Sequence, residues 1–183
     1  MKIQREEIVF DGSFIQVSKI HFIGKTGKAC VWETVRRKTF GKIVAIFALT
    51  KNKKVLLEKT FRVPMNQYIV ELPAGLMDKD GETPEEVIQR ELREETGYEA
   101  KNGVTRILEG PFNSGLVSDE MIVFFADNVE KVGEPMLEDA EDIEVMTIPL
   151  DALVDFCATS HSGFLVDIKI LNVLPVLEKR GLL

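Results

Sequence analysis

The sequence has little positive charge, and this shortage excludes one large class of partner. It contains 23 Lys and Arg against 30 Asp and Glu, which gives a net charge of −7. Nucleic-acid backbones are bound by clustered basic residues, and the nearest such cluster here is the short run Arg36–Lys38. We therefore expect no nucleic-acid partner. Phosphate-bearing small molecules stay open, because a bound metal ion can supply the missing positive charge.

Cysteine and long apolar stretches are also scarce. Cys30 and Cys157 stand far apart without metal-ligand spacing, which favours reduced thiols over a disulfide framework. No N-terminal apolar run resembles a signal peptide, and no uncharged stretch is long enough to span a bilayer. These absences predict a soluble cytoplasmic protein with no membrane partner. The 183 residues, 45% of them hydrophobic, suffice for one domain with a substantial core and a small appendage.

The most informative segment lies between residues 71 and 98. Thr83 has the side chain of an N-cap, Pro84 suits the first helical position, and Glu86 completes a capping box three residues after Thr83. Gly97 is the expected left-handed residue at the C-terminal end. The sequence therefore predicts a helix that begins at Pro84 and ends just before Gly97.

Three carboxylates share one face of this helix. Glu91 precedes Glu94 by three residues and Glu95 by four. Like charges at this spacing cost about 0.2–0.5 kcal/mol per pair on an isolated helix, and desolvation increases the cost. A hard divalent cation with oxygen ligands would compensate for it, Mg²⁺ before Ca²⁺ where phosphates are also bound. A solvated acidic helix face is the alternative interpretation.

The same segment resembles the signature of the Nudix hydrolases. The matching positions are Gly75, Glu82, Arg90, Glu91, Leu92, Glu94, Glu95, Gly97 and Tyr98. Between Gly75 and Glu82 the chain has one residue more than the family pattern. The extra residue falls in the turn-like segment 76–81, where an insertion costs little. The resemblance thus predicts the register of the helix but not the conformation of this loop.

The rest of the chain alternates between extended and helical patterns. Apolar and β-branched runs between turn residues predict the strands Ile8–Phe10, Phe14–Ile23, Ala29–Lys38, Ile43–Thr50, Lys54–Phe61, Tyr68–Leu72, Thr105–Glu109, Met121–Phe125 and Ile143–Ile148. Helical spacing predicts two further helices, Leu150–Thr159 and Val166–Lys179. This alternation indicates an α/β fold with a mixed sheet between helical layers, and the resemblance implies the Nudix αβα sandwich. We expect a small N-terminal antiparallel β-sheet subdomain in residues 1–40 and the Nudix hydrolase domain in residues 41–183, with a boundary near Phe40 and Gly41.

Three features outside the signature resemble the ADP-ribose pyrophosphatase and nucleoside diphosphate sugar hydrolase group. They are Arg62 nine residues before Glu71, Trp32 in the N-terminal sheet, and the acidic run Asp139–Val145. The resemblance implies metal-dependent hydrolysis of the pyrophosphate bond of ADP-ribose or a related nucleoside diphosphate sugar, giving a nucleoside monophosphate and a sugar phosphate. It also implies a homodimer that exchanges its N-terminal sheets. The loop 113–120 lacks a proline that often accompanies ADP-ribose specificity, so nucleoside diphosphate hexoses and oxidised nucleotides stay open as substrates.

The resemblance also implies a metal site. Glu91, Glu95 and the Ala74 carbonyl would hold Mg²⁺, or Mn²⁺ in its place. Glu94 would share in a second site, and Glu141 would join from a later loop. Arg90 is expected to orient Glu94 or Glu82 rather than to contact the substrate.

The remaining candidate residues have catalytic or substrate-binding roles. Asp139 occupies the position of the catalytic base, with Glu141 and Glu120 as rivals, and Glu94 is counted with the catalytic set. Arg62 is expected to contact the diphosphate, since its planar fork suits phosphate oxygens. Glu71, Trp32 and Arg37 are the further substrate-binding candidates; Trp32 could stack on an adenine, although core packing is the alternative role. A nucleotide sensor without turnover and an oxidised-nucleotide pyrophosphohydrolase are the alternative functions.

Overall fold

The computed structural model describes residues 1–39 and 42–183. The expected boundary at Phe40 and Gly41 lies outside the described residues, so the division into two units stays a prediction. The strands, numbered in chain order, are β1 (Lys2–Asp11), β2 (Ile15–Ile23), β3 (Ala29–Arg37), β4 (Ile43–Thr50), β5 (Lys54–Arg62), β6 (Gln67–Glu71), β7 (Ala74–Leu76), β8 (Tyr98–Glu99), β9 (Thr105–Pro111), β10 (Glu120–Lys131), β11 (Ile143–Pro149) and β12 (Phe164–Val166). The helices are α1 (Pro84–Thr96), α2 (Leu153–Ala158), α3 (Lys169–Asn172) and α4 (Leu174–Lys179), with short 3₁₀ turns at Val63–Met65 and Leu150–Ala152.

The first three strands form an antiparallel sheet of their own in the order β1-β2-β3. The outer edge of β3 contacts the loop before β10, where the backbone N–H of Val35 donates to the Leu116 carbonyl at 3.0 Å. Large apolar side chains of this sheet and its turns are exposed, among them Phe10, Phe14 and Trp32. The sheet is therefore tied to the rest of the chain along an edge, and part of its apolar surface is left uncovered.

The second sheet is mixed and carries the core. Its described strands run in the order β12-β6-β5-β4-β10-β8, and β11, β7 and β9 pair with β5, β4 and β10. β4 and β10 are parallel neighbours, from Ile43 opposite Met121 to Thr50 opposite Val129. β4 is apolar and almost entirely buried along its length, as expected for a central strand covered on both faces.

Helices cover both faces of this mixed sheet. On one face, Val87, Ile88 and Leu92 of α1 pack against alternate residues of β4 and β10. On the other face, Leu153, Ile170 and Leu177 from α2, α3 and α4 pack against the intervening residues. Fully burying an aliphatic side chain of this size contributes about 1.5–3 kcal/mol, so both layers are held by the hydrophobic effect. The α/β fold and the αβα sandwich expected from the sequence are confirmed.

One predicted helix was wrong in its first part. Residues Phe164–Val166 form β12, which pairs in parallel with Tyr68–Val70 of β6, and the remaining segment is split into α3 and α4. Pro175 lies in the first turn of α4, and a proline ring clashes with the carbonyl four residues earlier and supplies no N–H. The short strands β7 and β8 were not predicted. None of the helices in the described part of the chain has the length and apolar character needed to cross a membrane.

Candidate active site

Helix α1 begins and ends where its sequence predicted. The Thr83 hydroxyl accepts from the Glu86 N–H at 3.3 Å, and the Glu86 carboxylate accepts from the Thr83 N–H at 2.8 Å. At the other end Gly97 adopts a φ of 73° and its N–H donates to the Arg93 carbonyl. Because both ends are fixed, the rotation of the helix and the direction of its carboxylates are fixed as well.

Gly75 lies where the side chain of Glu91 crosses β7. A β-carbon added at Gly75 would lie 2.2 Å from Cγ of Glu91 and 2.5 Å from its Oε1. Any larger residue would have to displace Glu91. The glycine therefore allows the helix carboxylate to lie directly against the strand backbone.

Glu95 lies one turn further along α1 and is buried beside the residue before this glycine. Its Oε2 accepts from the Ala74 N–H at 3.2 Å, and its carboxyl group is also hydrogen-bonded to that of Glu58 on β5. Glu58 is 2% exposed, and no N–H or hydroxyl of the described residues donates to its buried Oε1. Two carboxyl groups can share a hydrogen bond only if one of them carries a proton.

The protonation equilibria of these carboxyl groups reflect their burial. Burial, followed by the negative charge of Glu91, raises the pKa of Glu95 to about 8. Burial also raises the pKa of Glu91 to about 7. Burial, with the charge of Glu95 adding to it, raises the pKa of Glu58 well above its ordinary value. A bound cation would reverse these shifts, because it favours the ionised forms.

Arg90 occupies the centre of the carboxylate face. Its Nη1 donates to Glu91 Oε1 and to Glu94 Oε2, both at 2.9 Å, and its Nε donates to Glu82 at 3.3 Å. Asp78, from the loop that contains the inserted residue, lies 3.7 Å from the same guanidinium. The expected contacts of Arg90 with Glu94 and Glu82 are confirmed, and the insertion leaves the helix register unchanged.

The carboxylates that would bind a metal are engaged with protein groups. Within residues 1–39 and 42–183, no three His, Cys, Asp or Glu side chains stand together as a ready metal site. Glu91 and Glu94 accept hydrogen bonds from Arg90 instead. The residues nevertheless fit a divalent ion. Their ligand atoms are all oxygens, and Glu58 supplies a buried oxygen that receives no N–H or hydroxyl. The missing β-carbon at Gly75 lets the Glu91 carboxylate lie against the backbone next to the Ala74 carbonyl.

The acidic loop before β11 reaches this region through Glu141. The negative charge of Glu141 contributes to the raised pKa of Glu95, and its carboxylate accepts from the Glu138 N–H at 2.8 Å. Asp139 is exposed in the same turn. Asp142 is directed elsewhere, because its carboxylate accepts from the Tyr68 hydroxyl at 2.5 Å. Of the candidate bases, Glu120 is paired with Lys42 at 2.5 Å.

A cleft of about 730 Å³ opens beside Ala74 and Gly75. Arg62 lies in its wall, where its guanidinium donates to Glu71 at 2.6 Å. Arg37 reaches the same cleft from β3, and its Nε lies 2.9 Å from Asp119.

Trp32 does not line this cleft. It is 55% exposed and donates from Nε1 to the Gly115 carbonyl at 2.9 Å. It lines a separate shallow depression on the N-terminal sheet with Glu7, Lys19 and His21. Its alternative role as a core residue is therefore wrong.

Comparison with known proteins identifies the family. The NUDIX domain model matches residues 39–165. The chain belongs to the Nudix family. It is a hydrolase that acts on pyrophosphate bonds.

Two curated relatives and one solved structure are similar to this Nudix hydrolase. The chain is 35% identical over 147 residues to the ADP-ribose pyrophosphatase of Bacillus subtilis (strain 168), covering 80% of this chain and 77% of that protein. It is 37% identical over 107 residues to the ADP-sugar pyrophosphatase of Mus musculus, covering 54% and 49%. The crystal structure of an ADP compounds hydrolase superimposes on this chain with a TM-score of 0.79, covering 100% of this chain and 96% of that one. The sequence identity is 21%, so this match shows the same fold.

Sequence reasoning missed three charged residues of this Nudix hydrolase. Glu58 carries a detectable signal, since it is a charged residue directly after the apolar run Val55–Leu57 in a central strand. Asp167 and Lys169 carry none, because the spacing of residues 166–179 predicts one long helix. They come next to the cleft only through the pairing of β12 with β6.

Proposed function

We propose that this protein hydrolyses the pyrophosphate bond of ADP-ribose or a related nucleoside diphosphate sugar in a reaction that depends on Mg²⁺. The observation that carries the proposal is the opening of one cleft onto both the Gly75–Glu91 contact and the Arg62–Glu71 pair. A diphosphate in this cleft would lie beside the Arg62 guanidinium and next to Ala74 and Gly75, the two residues that the carboxylates of Glu95 and Glu91 contact. The activities named for the Bacillus subtilis and mouse relatives support this substrate class.

In this proposal the metal ligands are Glu91, Glu95 and the carbonyl of Ala74, with Glu94 contributing to a second ion and Glu141 joining from the acidic loop. The chemistry that such ions supply is neutralisation of phosphate charge and polarisation of the phosphoryl oxygens. Mn²⁺ would serve in the same oxygen-rich site. Arg90 donates to Glu91 and Glu94 and would orient these carboxylates for the ion.

The residues of the chain supply the positioning and the proton transfer. Arg62, held by Glu71, binds the diphosphate oxygens. Asp139 takes a proton from water, the water oxygen bonds to phosphorus, and the bridging oxygen leaves with the other phosphate. The products are a nucleoside monophosphate and a sugar phosphate. Glu141 and Glu120 are the rival bases, and the ion pair of Glu120 with Lys42 makes it less available than the other two.

The proposal includes a homodimer formed through the N-terminal sheet. Phe10 of β1, Phe14 of the turn before β2 and Trp32 of β3 are 56%, 84% and 55% exposed, and exposed apolar surface on a monomer can mark an interaction site. Trp32 lies outside the cleft of its own chain. In an exchanged dimer Trp32 is available to stack on a base in the partner's cleft. Arg37 instead contacts the nucleotide bound in the cleft of its own chain.

The experiment that tests the proposal is a substrate panel with and without Mg²⁺. Purified protein is incubated with ADP-ribose, nucleoside diphosphate hexoses and an oxidised nucleoside triphosphate, and the nucleoside monophosphate product is quantified. Turnover of ADP-ribose or a nucleoside diphosphate hexose with Mg²⁺, and none with EDTA, supports the proposal. Calorimetric binding without turnover would identify a nucleotide sensor, and preference for the oxidised triphosphate would identify a sanitising enzyme.

A further inference from the structure

The cleft has a third carboxylate-paired cation, Lys169, in addition to Arg62 and Arg37. Asp167 directly follows β12, and its N–H donates to the Val70 carbonyl at 2.8 Å. This contact places Asp167 beside Glu71, the next residue of β6. The Asp167 carboxylate accepts from the Lys169 N–H at 2.8 Å, and its other oxygen is ion-paired with the Lys169 ammonium group. Backbone and side chain of Lys169 are thus both held by one residue.

This pair repeats the arrangement of Arg62 and Glu71. In both pairs the carboxylate is largely buried, with 12% of the side chain exposed for Glu71 and for Asp167. In both pairs the cation remains accessible, at 50% for Arg62 and 39% for Lys169. Both cations line the same cleft. Glu71 and Asp167 therefore position Arg62 and Lys169, respectively, at the cleft. The two carboxylates lie at the ends of the neighbouring strands β6 and β12.

A simple surface ion pair would not have these features. Exposed Lys–Asp pairs are mobile and contribute little to stability, whereas here the aspartate is also tied to β6 through its backbone and precedes the first turn of α3. The ammonium group of Lys169 has three N–H donors, and its ion pair with Asp167 occupies one of them. The other two N–H donors are available to a ligand in the cleft.

We propose that Lys169 is a second cationic contact for the diphosphate of the substrate, acting with Arg62, and that Asp167 positions it. The inference rests on the proposed function for the identity of the ligand. An anionic diphosphate between Arg62 and Lys169 would be held from two sides. Contacts from both sides would orient the diphosphate relative to the carboxylates of α1, and these contacts do not involve the sugar.

Binding measurements without metal separate this role from catalysis. The dissociation constants of ADP and of inorganic pyrophosphate are measured by calorimetry in EDTA for the full-length wild type and for Lys169→Met, Lys169→Arg and the double variant Asp167→Asn/Lys169→Met. Lys179→Met is the matched control, because Lys179 is exposed at the end of α4 and outside the cleft. Circular dichroism melting of every variant reports whether the fold is kept.

Lys169→Met is expected to weaken the binding of both ligands about tenfold, which is about 1.4 kcal/mol, because it removes a hydrogen bond to a charged group from a side chain that is 39% exposed. Lys169→Arg should recover most of the affinity, and the double variant should remain weak. Recovery in the double variant would overturn the proposal, because it would show that Lys169 only neutralises Asp167. Weaker ADP binding with unchanged pyrophosphate binding would also overturn it, since Lys169 would then contact the nucleoside.

Failure of the two proposals can be told apart. If the wild type binds ADP and pyrophosphate through Lys169 but releases no product from any nucleoside diphosphate sugar with Mg²⁺, the proposed reaction fails and the diphosphate contact stands. If the wild type turns over ADP-ribose and Lys169→Met binds both probes normally, the contact fails and the reaction stands.

Discussion

The buried carboxyl groups of Glu58 and Glu95 are hydrogen-bonded to each other across the interface between β5 and α1. Two ionised carboxylates would repel each other in this position, so without metal the pair retains a proton. The pair therefore links the protonation state of the site to the stability of the fold.

Without metal, the protein should become less stable as the pH rises from about 5 to about 8. Glu95 has an ordinary pKa of 4.5, which the fold raises to about 8. Between these values the folded state binds more protons than the unfolded state, so the free energy of unfolding falls with increasing pH. Thermal melting in EDTA across this range checks it. A melting temperature that stays level or rises would contradict the raised pKa, and Glu95→Gln should flatten the decline.

Glu95→Gln should keep the fold but abolish turnover. The substitution removes a proposed metal ligand and relieves repulsion with Glu91, so the melting temperature without metal should hold or rise at neutral pH. Activity is measured over a Mg²⁺ titration, with Glu85→Gln as the control because Glu85 is exposed on the same helix. Near-normal activity of Glu95→Gln at saturating Mg²⁺ would remove Glu95 from the metal site.

Gly75→Ala should lower metal affinity by about tenfold or more, a typical effect of disturbing the groups that orient a ligand. The new methyl group would lie 2.2 Å from Cγ of Glu91 and displace it. The fold should survive, since Gly75 has no positive φ and the displaced group is a side chain. Mn²⁺ binding followed by electron paramagnetic resonance measures the change. Gly110→Ala is the control, because it lines the same cleft with no atom close to its added β-carbon; equal effects of both would contradict the proposed contact.

Asp139→Asn should lower kcat by about 10²–10⁴-fold with a smaller change in KM, the usual range for loss of a general base. Asp142→Asn should change kcat little, because Asp142 contacts Tyr68 and an asparagine oxygen can still accept from its hydroxyl. Losing Glu141 should instead raise the Mg²⁺ concentration needed for activity. Steady-state kinetics on the four variants distinguish these roles. A fully active Asp139→Asn beside an inactive Glu120→Gln would move the base to the loop before β10.

The protein should be a homodimer at micromolar concentration. Replacing Phe14 with Ser should weaken the dimer, because Phe14 is 84% exposed in the turn between β1 and β2 of the sheet proposed to form the interface. Val154→Ser, at a 52% exposed position on α2, serves as the control. Size-exclusion chromatography with light scattering gives the masses. A monomeric wild type would exclude the exchanged dimer.

Much of this architecture could be predicted from local sequence. Thr83, Glu86 and Gly97 specify the ends of α1 because capping uses atoms only a few residues apart. The spacing of Glu91, Glu94 and Glu95 then places them on one face, since helix geometry depends only on the backbone. The apolar run of β4 predicts a central strand, because a strand that is buried on both faces needs consecutive apolar residues.

The contact between the Glu58 and Glu95 carboxyl groups and the position of Lys169 in the cleft are set by the tertiary structure. Glu58 on β5 and Glu95 on α1 are far apart in the chain and meet only in the folded structure. Lys169 enters the cleft because β12 pairs with β6, and Pro175 breaks the long helix that the spacing of residues 166–179 predicted. The sequence by itself determined the helix, its acidic face and the family. The tertiary structure decided which distant charges share a desolvated cleft, because burial and Coulomb interactions depend on distances that local periodicity does not specify.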